Sequence, residues 1–125
     1  MSEGVEPETM RGGGAPVVPF PAVARTPQVT FGRDELRLIL NLYGRMVAGG
    51  EWRDYAIDFE RDRAVFAVFR RSSEMPLYRI VKEPALARRQ GAYSVLTASG
   101  RVLKRGQDLS RVLRILDEPL RLVTG

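Results

Sequence analysis

The chain has 125 residues and a formal net charge of +5, and it contains no histidine and no cysteine. Without cysteine there are no disulfides, thiol nucleophiles or cysteine-ligated zinc sites, and without histidine the usual general base and the commonest transition-metal ligand are missing. Eighteen of the 20 basic residues are arginines, and the pI of about 10.2 favours anionic partners such as nucleic acid or an acidic protein face.

Residues 1–28 are predicted to form a disordered tail ahead of a single α+β domain over residues 29–125. The tail holds five prolines and the glycine run 12–14 and shows no helical or strand period, so it cannot bury enough apolar surface to offset its ordering entropy. It contains three acidic and two basic residues, which leaves 18 basic and 12 acidic residues, a net charge of +6, in the domain. Residues 17–21, Val-Val-Pro-Phe-Pro, are either a short docking motif or part of a passive tail.

The first predicted element is a helix over residues 33–48, with acidic residues in its first turn and a glycine pair after its last. Its main apolar stripe is expected to consist of Leu36, Ile39, Leu40, Tyr43, Met46 and Val47. Leu38 and Leu42 lie off that stripe and form a second apolar patch, which is either covered by the chain itself or serves as a dimer or partner interface. Gly44 inside the helix indicates close backbone packing.

Residues 54–60 and 64–70 are predicted to pair as a hairpin because apolar and polar residues alternate in the first segment. A three-residue loop places Phe59 opposite Val65 and brings Asp54 opposite Arg70, a favourable charge pair, so this register is preferred. A two-residue loop places Tyr55, Ile57 and Phe59 opposite alternate residues from Ala64 onward and is also compatible with the pattern.

The rest of the chain predicts three more strands and a second helix. A third strand is expected at residues 77–81, a short helical turn at 85–90, and a second hairpin from 92–97 and 101–104 around a Ser-Gly turn. The second helix begins after the N-cap Asp108, is expected to end at Pro119, and is followed by a possible short strand at 120–123. Its buried stripe is predicted to be Leu109, Val112, Leu113 and Leu116, with Arg111 and Arg114 facing solvent. These elements predict an α+β fold in which an antiparallel sheet of about five strands and two flanking helices form two layers.

Catalytic chemistry has one candidate cluster, the carboxylates Glu51, Asp54, Asp58 and Glu60. Two of them, Asp54 and Asp58, share a strand face and could share acid–base roles or hold a divalent metal ion. The neighbouring arginines favour a solvated ion-pair surface instead. No nucleophile motif, phosphate-binding glycine loop or dinucleotide fingerprint is present, so no cofactor and no metal site are expected, and an enzyme is unsupported.

Anion binding has a better basis in the basic pairs that follow the predicted strands and turns. The candidate residues are Arg70, Arg71, Arg88, Arg89, Lys104 and Arg105. Guanidinium groups match phosphate and carboxylate oxygens, and the amides at the start of the second helix could assist Lys104 and Arg105, although Asp108 competes for those amides. The aromatic residues of the strands are assigned to the core and not to base stacking.

Three segments resemble a small alphaproteobacterial family, domain of unknown function 2794. They are LILNLYGRMVAGGEWRDYAIDF, AVFAVFRRSSEMPLYRI and LARRQGAYSVLTASGRVLKRGQDLSRVLRIL, and the resemblance covers about residues 30–123. It implies a bacterial cytoplasmic protein and brings no activity, cofactor or catalytic residue.

The function expected from the sequence is therefore a non-enzymatic binding module for an anionic partner, with nucleic acid as the leading candidate. A protein–protein interaction or homodimerisation module is the alternative, and a carboxylate-based metal-dependent enzyme is the least favoured reading. No apolar segment approaches the roughly 20 residues of a membrane span, so no membrane association is expected.

Overall fold

The N-terminal helix, α1, spans Arg33–Ala48, the range that the sequence predicts. The computed structural model describes residues 27–71 and 75–124, with side chains as far as residue 117; the tail residues 1–26, with the motif at 17–21, lie outside it. The amide of Gly32 donates to Glu35 Oε1 at 2.6 Å and so caps the first turn. At the other end Gly50, with φ +79°, is the residue that requires glycine, whereas Gly49 has an ordinary φ of −83°.

The buried face of α1 differs from the predicted stripe by a rotation about the helix axis. Ile39, Leu42 and Met46 are the buried residues, while Leu40 and Val47 are 40% and 41% exposed. Of the two residues of the predicted second apolar patch, Leu42 is in the core and Leu38 is exposed. The helix has apolar residues on nearly two faces, and the packing of the second helix against it decides which face is buried.

Gly44 does not mark a close backbone contact, because a Cβ built at this position has no atom within 4 Å. Gly44→Ala should therefore raise the free energy of unfolding by about 1 kcal/mol, the difference in helix propensity between the two residues. Urea denaturation measures this directly. Gly50→Ala, also in open space but at positive φ, should destabilise instead, and a loss of stability in Gly44→Ala would contradict the open environment described here.

Five strands form one antiparallel sheet in the order in which they occur along the chain. They are β1 (Asp54–Phe59), β2 (Ala64–Phe69), β3 (Tyr78–Lys82), β4 (Tyr93–Thr97) and β5 (Val102–Gly106). A 3₁₀ turn, Pro84–Leu86, lies between β3 and β4 and overlaps the start of the helical turn predicted at 85–90. The antiparallel sheet with a helix at each end of the chain confirms the predicted α+β class.

The register of the first hairpin is the two-residue alternative, and the preferred three-residue register is wrong. Phe59 pairs with Ala64, Ile57 with Phe66 and Tyr55 with Val68, and the Glu60 amide donates to the Arg63 carbonyl at 2.8 Å. This register places Phe66 and Val68, both fully buried, on the face that the helices cover. The alternative would turn both of them outward, and this cost exceeds the gain from an exposed Asp54–Arg70 charge pair.

The C-terminal helix, α2, spans Leu109–Thr124 and continues through Pro119. The predicted end at Pro119 and the predicted strand at 120–123 are therefore wrong. A proline in a helix removes one hydrogen bond, here to the carbonyl of Ile115, but need not end it. The predicted stripe is confirmed, since Leu109, Val112, Leu113 and Leu116 are all buried.

The core lies between the two helices and one face of the sheet. Cross-strand neighbours on this face form apolar rows, such as Ile57, Phe66, Ile80 and Val95. Trp52, 2% exposed, packs the segment after α1 onto this core. The opposite face mixes residue types, since one row runs Asp58, Val65, Val81, Ser94 and Arg105. No helix in the described part of the chain has both the length and the apolar character needed to cross a bilayer.

Candidate anion-binding site

A groove of about 560 Å³ lies between the outer edge of β5 and the first turns of α2. Its charged lining comprises four basic side chains and one acidic side chain: Lys104, Arg105, Arg111, Arg114 and Asp108. Successive residues of a strand point to opposite faces, so Lys104 and Arg105 lie on either side of the β5 edge. Arg111 and Arg114 are exposed on α2, as predicted, and they belong to the same groove.

Asp108 caps α2 and thereby occupies part of the helix N-terminus. Its Oδ1 accepts hydrogen bonds from the Ser110 amide at 3.0 Å and the Ser110 hydroxyl at 2.8 Å. These bonds hold the pKa of Asp108 below its usual value, so the carboxylate stays ionised at neutral pH. An anion in this groove would therefore contact the guanidinium groups and not the capped amides.

Arg105 is the most buried cation of the groove, with a side chain only 20% exposed. Its Nη1 lies 3.7 Å from Glu83 Oε1, and within the described residues this nitrogen has no hydrogen-bond partner. Glu83 thus balances part of the charge while leaving N–H donors of the guanidinium unused. This nitrogen is enclosed by protein atoms, so an anion that enters the groove from solvent would meet the exposed Lys104, Arg111 and Arg114.

Two further candidates, Arg88 and Arg89, lie at the same end of the sheet. The Gln107 amide side chain donates to the carbonyl of Ala87, which ties the segment after the 3₁₀ turn to the start of α2. Arg88 and Arg89 follow Ala87 directly and are both exposed. The structure therefore brings four of the six predicted anion-binding residues to one region.

Arg70 and Arg71 lie at the other end of the sheet. They follow β2, whereas Arg88 and Arg89 lie between β3 and β4, and the antiparallel order puts those two connections at opposite ends. Strands of five or six residues separate the ends by roughly 15–20 Å. Arg70 lies 3.9 Å from Glu51, so the six basic residues do not form one surface.

The predicted interface residues Leu38 and Leu42 line a smaller groove of about 250 Å³ between α1 and α2. Leu42 forms its buried floor and Leu38 its exposed rim, and Arg45 bridges the helices through a 3.0 Å ion pair with Asp117. Most of this apolar surface is already used in packing α1 on α2.

A half-buried polar cluster joins α1 to the centre of the sheet, and the sequence reasoning missed it. Glu35 Oε1 accepts from Lys82 Nζ at 2.8 Å, and Glu35 Oε2 accepts from the Tyr93 hydroxyl. Lys82 also donates to the Thr30 carbonyl at 2.8 Å. Lys82 and Tyr93 are cross-strand partners, so strand parity would have placed them together on the helix-facing side.

The environment of this cluster shifts the pKa values of Glu35 and Tyr93. Burial raises the pKa of Glu35, but hydrogen bonds from Lys82, Tyr93 and the Gly32 amide outweigh burial and leave that pKa below its usual value. Burial and the hydrogen bond to Glu35 raise the pKa of Tyr93 to about 12. The Glu35 carboxylate accepts from Lys82, Tyr93 and the Gly32 amide, so the cluster ties α1 to the sheet.

The acidic candidates stay apart from one another. Asp54 and Asp58 occupy the sheet face away from the helices, whereas Glu60 pairs with Arg63 at 3.1 Å and Glu51 lies near Arg70. Among the residues that the structure describes, no three carboxylates gather closely enough to hold a metal ion.

Comparison with known proteins gives one match. A family model described as Protein of unknown function (DUF2794) matches residues 29–113. Searches of curated proteins and of solved structures found no match. The matched range contains α1, the whole sheet and the first turn of α2, and therefore most of the groove.

Proposed function

Since the chain belongs to the family described as Protein of unknown function (DUF2794), we propose its role from its own residues: a non-enzymatic module that binds the phosphate backbone of nucleic acid. The observation that carries the proposal is the groove beside β5, where four basic side chains face one carboxylate. The exposed cations of this groove are Lys104 on β5 and Arg111 and Arg114 on α2.

The donor chemistry supports phosphate over other anions. Three of the four cations are arginines, whose planar forks bind two oxygens of one phosphate or carboxylate at once. A row of such groups beside an edge strand suits a ligand that carries an anion at each repeat, and phosphate contacts release condensed counterions and so gain affinity at low salt. The domain's net charge of +6 adds long-range attraction.

We also propose that the protein acts in the bacterial cytoplasm. The chain contains no cysteine, which suits a reducing compartment, and a cytoplasmic location would give the groove access to RNA and DNA.

Fluorescence anisotropy with labelled single-stranded and duplex oligonucleotides tests the proposal. We expect Arg111→Gln/Arg114→Gln to weaken binding by on the order of tenfold near 0.1 M salt. The slope of log K against log salt should become shallower by roughly 1.5 to 2, since two phosphate contacts are lost. Circular dichroism of the variant checks that the fold is unchanged, because both side chains are exposed.

Arg70→Gln/Arg71→Gln is the matched control, with the same loss of charge at the opposite end of the sheet. Equal losses in the two variants would show that only net charge matters and would contradict a defined site. A polyglutamate peptide of matched charge should compete poorly with the oligonucleotide. Competition at equal charge concentration would show an acidic protein to be the better partner and would overturn the nucleic-acid assignment.

A further inference from the structure

The edge of the sheet farthest from the anion groove leaves an apolar surface open. Five side chains define it, and we call them the β1 patch: Leu40, Val47, Tyr55, Ile57 and Phe59. Each is between 36% and 41% exposed. Monomeric proteins seldom expose contiguous apolar clusters of this kind unless they bind something.

Aromatic contacts show that the patch is continuous across α1 and β1. Tyr43 of α1 packs edge to face on Tyr55 at a centroid distance of 4.9 Å. Leu40 and Val47 are three residues before and four residues after Tyr43, so they flank it on one helical face. Phe59 meets Phe31 at 6.4 Å, which closes the patch at its other end.

The patch borders a strand edge with available backbone groups. β1 is the first strand of the sheet, and β2 is its neighbour. The Glu60 amide bonds to the Arg63 carbonyl, so these two residues are a hydrogen-bonded pair of the antiparallel ladder. Hydrogen-bonded and non-hydrogen-bonded pairs alternate along such a ladder, and the backbone groups of Tyr55, Ile57 and Phe59 therefore point away from β2. The Tyr55 amide is satisfied by Asp54 Oδ1 at 2.8 Å. At the other end of the strand the Val29 amide donates to the Glu60 carbonyl at 2.8 Å, and within the described residues no other segment bonds to the outer side of Ile57.

The other side of β1 is acidic. Asp54 and Asp58 project from the face away from the helices, with Ala56 between them. The carboxylates that pair with arginines here are Glu60 and Glu51, and among the described residues Asp54 and Asp58 form no ion pair. A strand added beside β1 would therefore meet apolar side chains on one face and carboxylates on the other.

We propose that the β1 edge binds an extended segment of another protein in which apolar and basic side chains alternate. The added strand would pair with the outward backbone groups of Ile57. Its apolar side chains would cover the β1 patch, and its basic side chains would lie beside Asp54 and Asp58. This surface is separate from the anion groove, and the inference does not depend on the proposed function.

Charge also argues against a second copy of this chain at the same edge. Two β1 strands can pair antiparallel about a twofold axis with the apolar side chains of both strands on the same face. If the axis passes through Ala56, Asp54 lies opposite Asp58 of the other copy. An axis through Ile57 places Asp54 opposite Glu60, and an axis through Asp58 places Asp58 opposite itself. Like charges directly opposite each other destabilise strand pairing, so the acidic row selects a basic partner over itself.

The test is a titration of the ¹⁵N-labelled full chain with a capped nine-residue peptide of alternating valine and lysine. We expect amide shifts concentrated at Tyr55, Ile57 and Phe59. Because the chain itself carries a net charge of +5, general electrostatics oppose this cationic probe, and binding would reflect the local edge. Shifts centred on β5 or spread over the surface would overturn the proposal.

Two variants and one control test whether Asp54 and Asp58 select a partner with basic side chains. Asp58→Asn should weaken binding about fivefold, whereas Asp34→Asn, which removes a carboxylate exposed on α1, should leave it unchanged. Asp54→Lys/Asp58→Lys should prefer the valine–glutamate peptide to the valine–lysine peptide. Equal effects of Asp58→Asn and Asp34→Asn, or no change of preference, would refute the alternating basic partner.

The same samples show whether a second copy of the chain or its own N-terminal segment occupies the β1 edge instead. Sedimentation velocity showing a stable dimer without peptide, lost in Ile57→Lys, would assign the edge to a second copy. Contacts between residues 17–23 and the Ile57 methyl groups in the peptide-free protein would assign it to the chain's own N-terminal segment. Either result would replace the proposal, and a monomer free of such contacts that binds the lysine peptide would support it.

Discussion

Replacing Gly91 with alanine is expected to lower the free energy of unfolding by about 4 kcal/mol, a large part of the total stability of a domain of this size. Gly91 has φ +102°, and a Cβ there would lie 2.4 Å from the carbonyl carbon of Gly106. The three nearest atoms are all backbone atoms of Gly106, so no side chain can rotate away. Strain at positive φ and overpacking each cost about 1 to 3 kcal/mol.

Urea denaturation of the Gly91 variant measures this loss, and Gly100→Ala is its matched control. Gly100 also has a positive φ, +94°, but a Cβ there meets no atom within 4 Å. The control should therefore lose only the cost of the backbone conformation, about 1 to 2 kcal/mol. Similar losses in both variants would show that the contact between Gly91 and Gly106 is not tight in solution.

Glu35→Gln should lower the free energy of unfolding at neutral pH by about 2 kcal/mol. The variant keeps the shape of the side chain but removes the charge that Lys82 and Tyr93 face, and the Lys82 side chain is only 20% exposed. A partly buried ammonium group without its counter-charge is costly. Glu60→Gln is the control, because its ion pair with Arg63 is more exposed and should contribute less than 1 kcal/mol.

The same cluster predicts how stability depends on pH. The pKa of Glu35 is lowered by folding, so its contribution is present above its usual value of 4.5 and is lost as pH falls through the lower folded value. The pKa of Tyr93 is raised from 10.0 to about 12, so its contribution is present below pH 10 and is lost as pH rises from 10 towards 12.

Denaturation of wild type and Glu35→Gln across pH 2–12 checks both limits. The free energy of unfolding of the wild type should be constant between about pH 5 and 10. Glu35→Gln should lose less of its stability than the wild type below pH 5 and above pH 10. Part of the alkaline loss should remain, because burial, the larger cause of the Tyr93 shift, persists without the carboxylate. Parallel profiles for the two proteins would show that Glu35 and Tyr93 do not interact in solution.

The sequence predicts the elements of this fold well because their signals are local. The bounds of α1 follow from its acidic first turn and the glycine pair at its end, and the Asp108 cap and buried stripe of α2 follow from helical periodicity. Such features depend on residues that are close together in the sequence. The helix bounds, the cap and the buried stripe are therefore the same before and after tertiary packing is considered.

The errors arise where two local patterns have similar merit and packing decides between them. β2 is apolar on both faces, so one-residue shifts in pairing look alike until the helices cover Phe66 and Val68. In the same way α1 has two apolar stripes, and contact with α2 buries Leu42 and leaves Leu40 outside. Sequence periodicity carries no information about which neighbour is present.

The candidate site could be predicted only in part, for a related reason. The sequence marks Lys104, Arg105 and Arg111 as basic, but only the position of α2 beside β5 turns them into one groove. The separation of Arg70 from Arg88 depends on strand direction, and the Glu35–Lys82 pair joins residues 47 positions apart. These relations are long-range, and a single sequence does not encode them as a visible pattern.

The meander order of the sheet has a consequence for how the chain reaches its native state. Every strand pairs with its neighbour in sequence, so each hairpin closes only a short loop and incurs little loop-closure entropy. The distant closures are the docking of α1 and α2, including the ion pair from Arg45 to Asp117. Topologies with mostly local pairing fold quickly, so we expect strand pairing to precede the docking of the two helices.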